Sequence, residues 1–247
     1  MLRPIILSLV LFIVSFSAIS QTQSTFSGWG ALFMSAKLNA RFSLVFDGQV
    51  RSNNEWKEVQ TFIARPGLQY KLHQNKNMFA TLGYGYIGNH RRISGVEGWG
   101  PEHRIWEQFI LNQSFKPVGH ALSLQHRFRL EQRFISKSVL QGNELEINGY
   151  DFAQRLRYFA RAIYPLKKSN AFTKGSFISV QNELFLNIGN TDAVNGKFFD
   201  QNRAYGSIGY RFSPAFDLEV GYMNQYISGR TSNIPNNILQ LAGYLRI

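Results

Sequence analysis

Residues 124–134 read LQHRFRLEQRF, and their order decides the fold. Arg127, Arg129, Glu131 and Arg133 alternate with Phe128, Leu130, Gln132 and Phe134. In an extended strand, successive side chains point to opposite faces, so this segment has a charged face and a mostly apolar one. An arginine facing lipid near a bilayer midplane costs about 2–4 kcal/mol, whereas a wet barrel interior accepts a row of guanidinium groups. A soluble barrel of the lipocalin kind also alternates, but it turns its apolar row inward and has about eight strands. The decision rests on how often, and over what length, the pattern recurs.

It recurs along the whole chain. Phe42, Leu44 and Phe46 alternate with Arg41, Ser43, Val45 and Asp47; Leu156, Tyr158, Ala160, Ala162 and Tyr164 alternate with Arg155, Arg157, Phe159 and Arg161. Similar runs predict strands at 26–34, 39–51, 58–71, 78–90, 104–115, 121–135, 151–165, 175–188, 202–212, 215–228 and 237–247. Many exceed the usual five or six residues and reach the roughly 9–11 that a tilted strand needs to cross a bilayer. Short connections fall at 35–38, 72–77, 116–120 and 213–214, with a somewhat longer one at 166–174; long polar ones fall at 91–103, 136–150 and 189–201. Short turns at one end and long loops at the other predict an all-β, closed, antiparallel up-and-down transmembrane barrel of 10–12 strands. Bacterial barrels of this kind have even strand numbers. Either 26–34 is therefore not a full strand, leaving ten, or a twelfth has been missed.

Arg3, the apolar run Ile5–Val14 and the small residues Ala18-Ile19-Ser20 read as a secretory signal over residues 1–20, cleaved before Gln21. That leaves 21–247 as one outer-membrane barrel domain. Beyond Gln21 no stretch of about 18 apolar residues predicts a membrane helix. The chain has no cysteine, so neither disulfides nor a lipoprotein anchor are available. Its formal charge of +12 falls to +11 without Arg3. The basic residues are spread with period two and form no single exposed patch, which argues against nucleic acid.

The inward row should hold Arg127, Arg129 and Arg133, then Arg155, Arg157 and Arg161, with Arg41, Arg51, Arg65, Arg203 and Arg211. The candidate inward carboxylates are fewer: Asp47, Glu131, Glu183, Asp217 and Glu219. They would pair with guanidinium groups across neighbouring strands. Tyr70, Tyr84, Tyr86, Tyr158, Tyr164, Tyr210, Tyr222, Tyr226 and Tyr244 fall mostly near strand ends or on the apolar row, as interfacial girdles require. His126 shares parity with Phe128, which points it outward with no evident reason. Gly83, Gly85 and Gly88 read as small positions that admit a bulky neighbour across the barrel, not as a phosphate loop.

The segments EHRIWEQFILNQSF (102–115), LQHRFRLEQRF (124–134) and FFDQNRAYGSIGY (198–210) resemble an outer-membrane barrel family of Gram-negative bacteria known only as a domain of unknown function. The most specific parts are His126, Arg127, Arg129, Glu131 and Arg133 in an H-R-x-R-x-E-x-R strand, and Asp200-Gln201-Asn202-Arg203. The resemblance covers nearly all of the mature chain. It implies a barrel and an outer-membrane location, and supplies no activity.

Two readings of function remain open. If water continues through the lumen, the excess of arginine favours small anions, and the barrel is a narrow diffusion channel lined by Arg127, Arg129, Arg155, Arg157 and Arg161, with Glu131 and Glu183 positioning them. If long side chains fill the lumen, the same pairs are structural. A lipid-modifying enzyme of the phospholipase or lipid A deacylase type is the alternative from another class. Its best candidate, His120 with Ser123 in GHALS, lacks the Ser-Asn-Gly that should follow. His73, His90 and His103 have no serine at comparable spacing, and the five histidines show no metal-ligand spacing. No cofactor is expected. Partners expected of this class are outer-membrane lipids, lipopolysaccharide phosphates at Arg91, Arg92 and Lys137, small anionic solutes and the barrel-assembly machinery.

Overall fold

The computed structural model describes residues 25–247 except 54, 74–76, 117–118 and 169–170; the signal segment expected at 1–20 lies outside the described residues. The alternating runs become β1 (Thr25–Lys37), β2 (Phe42–Asn53), β3 (Glu58–Lys71), β4 (Met78–Ile93), β5 (Val96–Phe115), β6 (Leu122–Gln141), β7 (Glu144–Pro165), β8 (Gly175–Ile188), β9 (Phe199–Ser213), β10 (Phe216–Ser228) and β11 (Asn233–Arg246). Each pairs with its chain neighbours, and β1 closes on β11.

The expectation of ten or twelve antiparallel strands is corrected at this closure. When every chain neighbour is antiparallel, an odd number of strands leaves the first and last pointing the same way. β1 and β11 accordingly pair in parallel, from Thr25↔Asn236 to Ser35↔Arg246. The segment expected at 26–34 is a full strand of 13 residues. Ser27 Oγ donates to Asn236 Oδ1 at 3.0 Å across the seam, and inside it Trp29 packs with Tyr205, Met223 and Ile238. Even strand number is a habit of bacterial barrels rather than a requirement of closure.

Two of the expected loops are also corrected. Residues 91–103 and 136–150 extend the strands, and the reversals shrink to Ser94-Gly95 and Gly142-Asn143. Ser94 and Gly95 both have positive φ, 50° and 86°, as a type I′ hairpin turn needs; Gly142, at 61°, opens the second turn. β7 passes the top of β8, which pairs with it only as far as Gln154↔Ile188, and above that point β7 pairs with β6 alone. The four strands β4–β7 thus rise as a wall on one side of the mouth. Residues 189–198 remain a loop at that same end.

The barrel is apolar outside and polar inside. Ile208 on the outer face is 65% exposed, whereas Arg129 on the inner face is 4% exposed. Leu44, Val50, Leu82, Phe128, Phe152, Leu156, Val180, Tyr222 and Leu241 continue the outward row around the wall. Inside, Trp106 lies flat over β3 and β4: a Cβ added to Gly83 would stand 2.2 Å from its ring, and one added to Gly67 2.7 Å. The bulky neighbour expected for Gly83 is this tryptophan.

Candidate functional site

The inward row of each strand delivers guanidinium and carboxylate groups to one lumen, and the strand registers decide which of them meet. Arg129 on β6 stands opposite Arg157 on β7, and Glu131 opposite Arg155. Glu131, wholly buried, accepts Arg155 Nη2 at 2.7 Å and Arg157 Nη1 at 2.5 Å, with Arg104 Nη1 at 3.6 Å and Arg129 Nη1 at 3.7 Å. Arg157 also donates through Nη2 to Glu183 on β8 at 2.6 Å, where Arg127 arrives at 2.7 Å. Glu102 takes Arg104 and Arg133, each at 2.6 Å, and Asp200 takes Arg155 at 2.8 Å. Asp47 is held by Arg65 and by Gln49.

A second cluster sits toward the end where the chain finishes. Arg161 on β7 reaches across the lumen to Glu219 on β10 at 2.6 Å and to the Tyr244 hydroxyl on β11, which itself donates to Glu219 at 2.8 Å. Asp217 is bracketed by Arg211 at 2.7 Å and Arg246 at 2.5 Å. Aromatic rings carry part of the cationic surface: Arg127 lies over Phe159, Arg129 over Trp106 and Arg203 over Phe185, at 4.2, 4.5 and 4.6 Å. Burying so many charges is tolerable only because nearly all are paired.

Among the described residues, two cavities lie within the lumen. The lower, about 420 Å³, runs from Ser114 and Arg246 up to Arg129; the upper, about 480 Å³, runs down from Asn89 and Ser228 past Glu102 and Arg133. Arg51, Arg65, Arg157 and Arg203 line both, so the arginines form their common wall. The 189–198 loop covers part of the upper mouth, with Ala193, Val194 and Asn195 against that cavity. Arg230 fastens it by donating to the Asp192 and Val194 carbonyls at 2.5 and 2.9 Å, and Asn195 Nδ2 donates to the Ser228 carbonyl at 2.7 Å.

Of the residues expected to line the lumen, Arg127, Arg129, Glu131, Arg133, Arg155, Arg157, Arg161, Glu183, Arg203 and Arg211 all carry their side chains inward into these clusters. Arg51 and Arg65 do so as well. Arg41 does not; it is exposed in the β1–β2 turn, donating to the Tyr70 hydroxyl at 3.3 Å. Tyr244 belongs to the lumen rather than to a girdle. Glu102 and Asp200 went unrecognised because they fell in segments read as loops. Arg104 shares Glu102's parity, so extending the strand by two residues would have found that pair.

Several outward residues are also accounted for. His126 Nδ1 is hydrogen-bonded to the Tyr158 hydroxyl at 2.8 Å, so a polar partner accompanies it on the outer wall. Glu107, also outward, accepts Gln132 Nε2 at 3.1 Å. His120 donates from Nδ1 to the Pro165 carbonyl at 2.9 Å and stacks on Tyr164, while Ser123 lines the lower cavity. At the loop end Arg92 pairs with Glu97 and Lys137 with Asp151, whereas Arg91 lines the upper cavity.

A family model described as "Protein of unknown function (DUF2490)" matches residues 26–236. An uncharacterised protein of Methylorubrum extorquens strain AM1 is 27% identical over 202 residues, covering 80% of this chain and 78% of its own length. No solved structure matches the chain.

Proposed function

The chain belongs to the family of proteins of unknown function designated DUF2490, and we propose that it is an outer-membrane β-barrel whose arginine-rich lumen forms a narrow, anion-preferring diffusion passage. The observation that carries this reading is the common wall of the two cavities. Space entering from each end reaches the same four arginines, Arg51, Arg65, Arg157 and Arg203. Inward guanidinium groups outnumber inward carboxylates, so the residual field in the lumen is positive and favours anions.

Membrane residence is supported by the outer wall. A continuous apolar belt carried on strands of 12 to 22 residues is long enough to cross a bilayer. Soluble monomers rarely expose contiguous apolar patches beyond a few hundred Å². At the loop end the exposed Arg92 and Lys137 would meet lipopolysaccharide phosphates, exchanging them for Glu97 and Asp151.

The competing reading is a filled structural barrel, favoured by Trp106 beneath Arg129 and by the enclosure of Glu131. Proteoliposomes separate the two. With valinomycin carrying potassium, vesicles containing the refolded barrel should swell in isotonic potassium chloride faster than empty ones, because the barrel supplies the anion path. Swelling no faster than empty vesicles, from a barrel that shows heat-modifiable mobility on gels, would assign the arginines to structure alone.

A further inference from the structure

Most lumen guanidinium groups have a carboxylate, and two that lack one are placed together. Among the described residues, Arg51 on β2 and Arg203 on β9 have no carboxylate oxygen within 4 Å. Their acceptors are neutral amides: Arg51 donates to Gln49 Oε1 at 3.0 and 2.6 Å, and Arg203 to Gln201 Oε1 at 3.3 and 3.2 Å. Both guanidinium carbons lie over the Trp29 ring, 3.9 and 5.0 Å from its centroid, so they are separated by no more than the sum of those distances. Arg203 is only 9% exposed.

Placing two like charges near each other away from bulk water, each without a carboxylate in contact, is costly. A barrel that only needed filling would be better served there by an amide or an apolar side chain. The pair also stands where both cavities meet. Arg65, which lines both cavities with them, is 4% exposed, and its Nε has no hydrogen-bond acceptor. Donor capacity and positive charge are therefore left over at one point of the lumen.

We propose that Arg51 and Arg203 form a binding site for a small oxyanion, a phosphate or a carboxylate group, at the junction of the two cavities. The site rests on the reading of the lumen as open to solute. The planar fork of each guanidinium matches two oxygens of such a group, a geometry that a halide cannot use. The Trp29 ring contacts both cations without neutralising them. Gln49 and Gln201 fix their orientation and likewise leave the charge for the ligand.

The test is a titration of the refolded barrel in detergent, at constant ionic strength, with inorganic phosphate and separately with succinate. It is read by tryptophan fluorescence and by calorimetry. A saturable response to at least one of them, absent with added chloride, is expected, and which one saturates tells phosphate from carboxylate recognition. Arg51→Gln and Arg203→Gln should each weaken binding at least about tenfold, and Trp29→Phe should remove most of the fluorescence change while calorimetric heat persists. Should a glutamine variant fail to fold, Arg51→Lys and Arg203→Lys keep the charge, lose the fork and should still bind more weakly. No saturable response from a folded barrel, or affinities unchanged in both variants, would overturn the site. Binding without vesicle swelling would leave the site standing and remove the passage; swelling without binding would do the reverse.

Discussion

Arg129 and Arg157 face each other directly across the β6–β7 ladder, one guanidinium opposite another. Like charges so placed repel, and the lumen tolerates them because Glu131, two residues along β6, accepts Arg157 at 2.5 Å and lies 3.7 Å from Arg129. A single wholly buried carboxylate thus holds together arginines from β5, β6 and β7.

Replacing that carboxylate should be severe. Glu131→Gln removes one of the two carboxylates from each of Arg155 and Arg157 at once, and breaking a buried pair costs about 3–5 kcal/mol. The midpoint of urea unfolding, followed by the folded-to-unfolded gel shift, should fall markedly. Arg51→Gln, which removes a charge with no carboxylate partner, should leave the midpoint unchanged or raise it. Equal losses in the two variants would contradict this division between structural and unpaired arginines.

Trp106 and Gly83 form a matched pair. A methyl on residue 83 would meet the indole at 2.2 Å, and overpacking of this kind costs about 1–3 kcal/mol. Gly83→Ala should therefore lower the unfolding midpoint, and Trp106→Leu in the same chain should recover part of the loss. Additive losses in the double variant would show that the two sites do not share one space.

The 189–198 loop is fastened over the upper mouth by Arg230. Arg230→Ala should loosen it, and the readout is the rate at which a thiol reagent modifies Gln201→Cys inside the upper cavity. A several-fold faster reaction is expected. The chain has no cysteine of its own, so the label reports that position alone.

The same absence of cysteine allows the crossing to be tested. Ser232 lies in the β10–β11 connection and Ala215 in the β9–β10 turn, at opposite ends of the barrel. On intact cells a membrane-impermeant thiol reagent should modify only one of Ser232→Cys and Ala215→Cys, and both after lysis. Labelling of both on intact cells would exclude a single orientation across the outer membrane.

What the sequence made legible follows from locality. Alternation of the kind seen in LQHRFRLEQRF states which side of a strand is charged, and the arginines and carboxylates expected inward lie on that side, Arg41 in the β1–β2 turn excepted. Pairing is not local. Arg155 on β7 reaches Asp200 on β9, and Arg161 reaches Glu219 and Tyr244 across the lumen, contacts that depend on curvature and register. Ser94-Gly95 and Gly142-Asn143 are hairpin signals in their own right, yet polar surroundings made them read as the middles of long loops. Parallel closure was hidden because it is a property of the whole circuit and of no single strand.

The central claim is that anions cross the lumen past the shared arginines. The most direct measurement is single-channel current from the refolded barrel in a planar bilayer, with the reversal potential taken under a potassium chloride gradient. Stable steps whose reversal potential lies on the chloride side, and moves toward zero in the Arg51→Gln/Arg203→Gln double variant, are the predicted result. A folded barrel that never conducts, or one whose reversal potential lies on the potassium side, would contradict it.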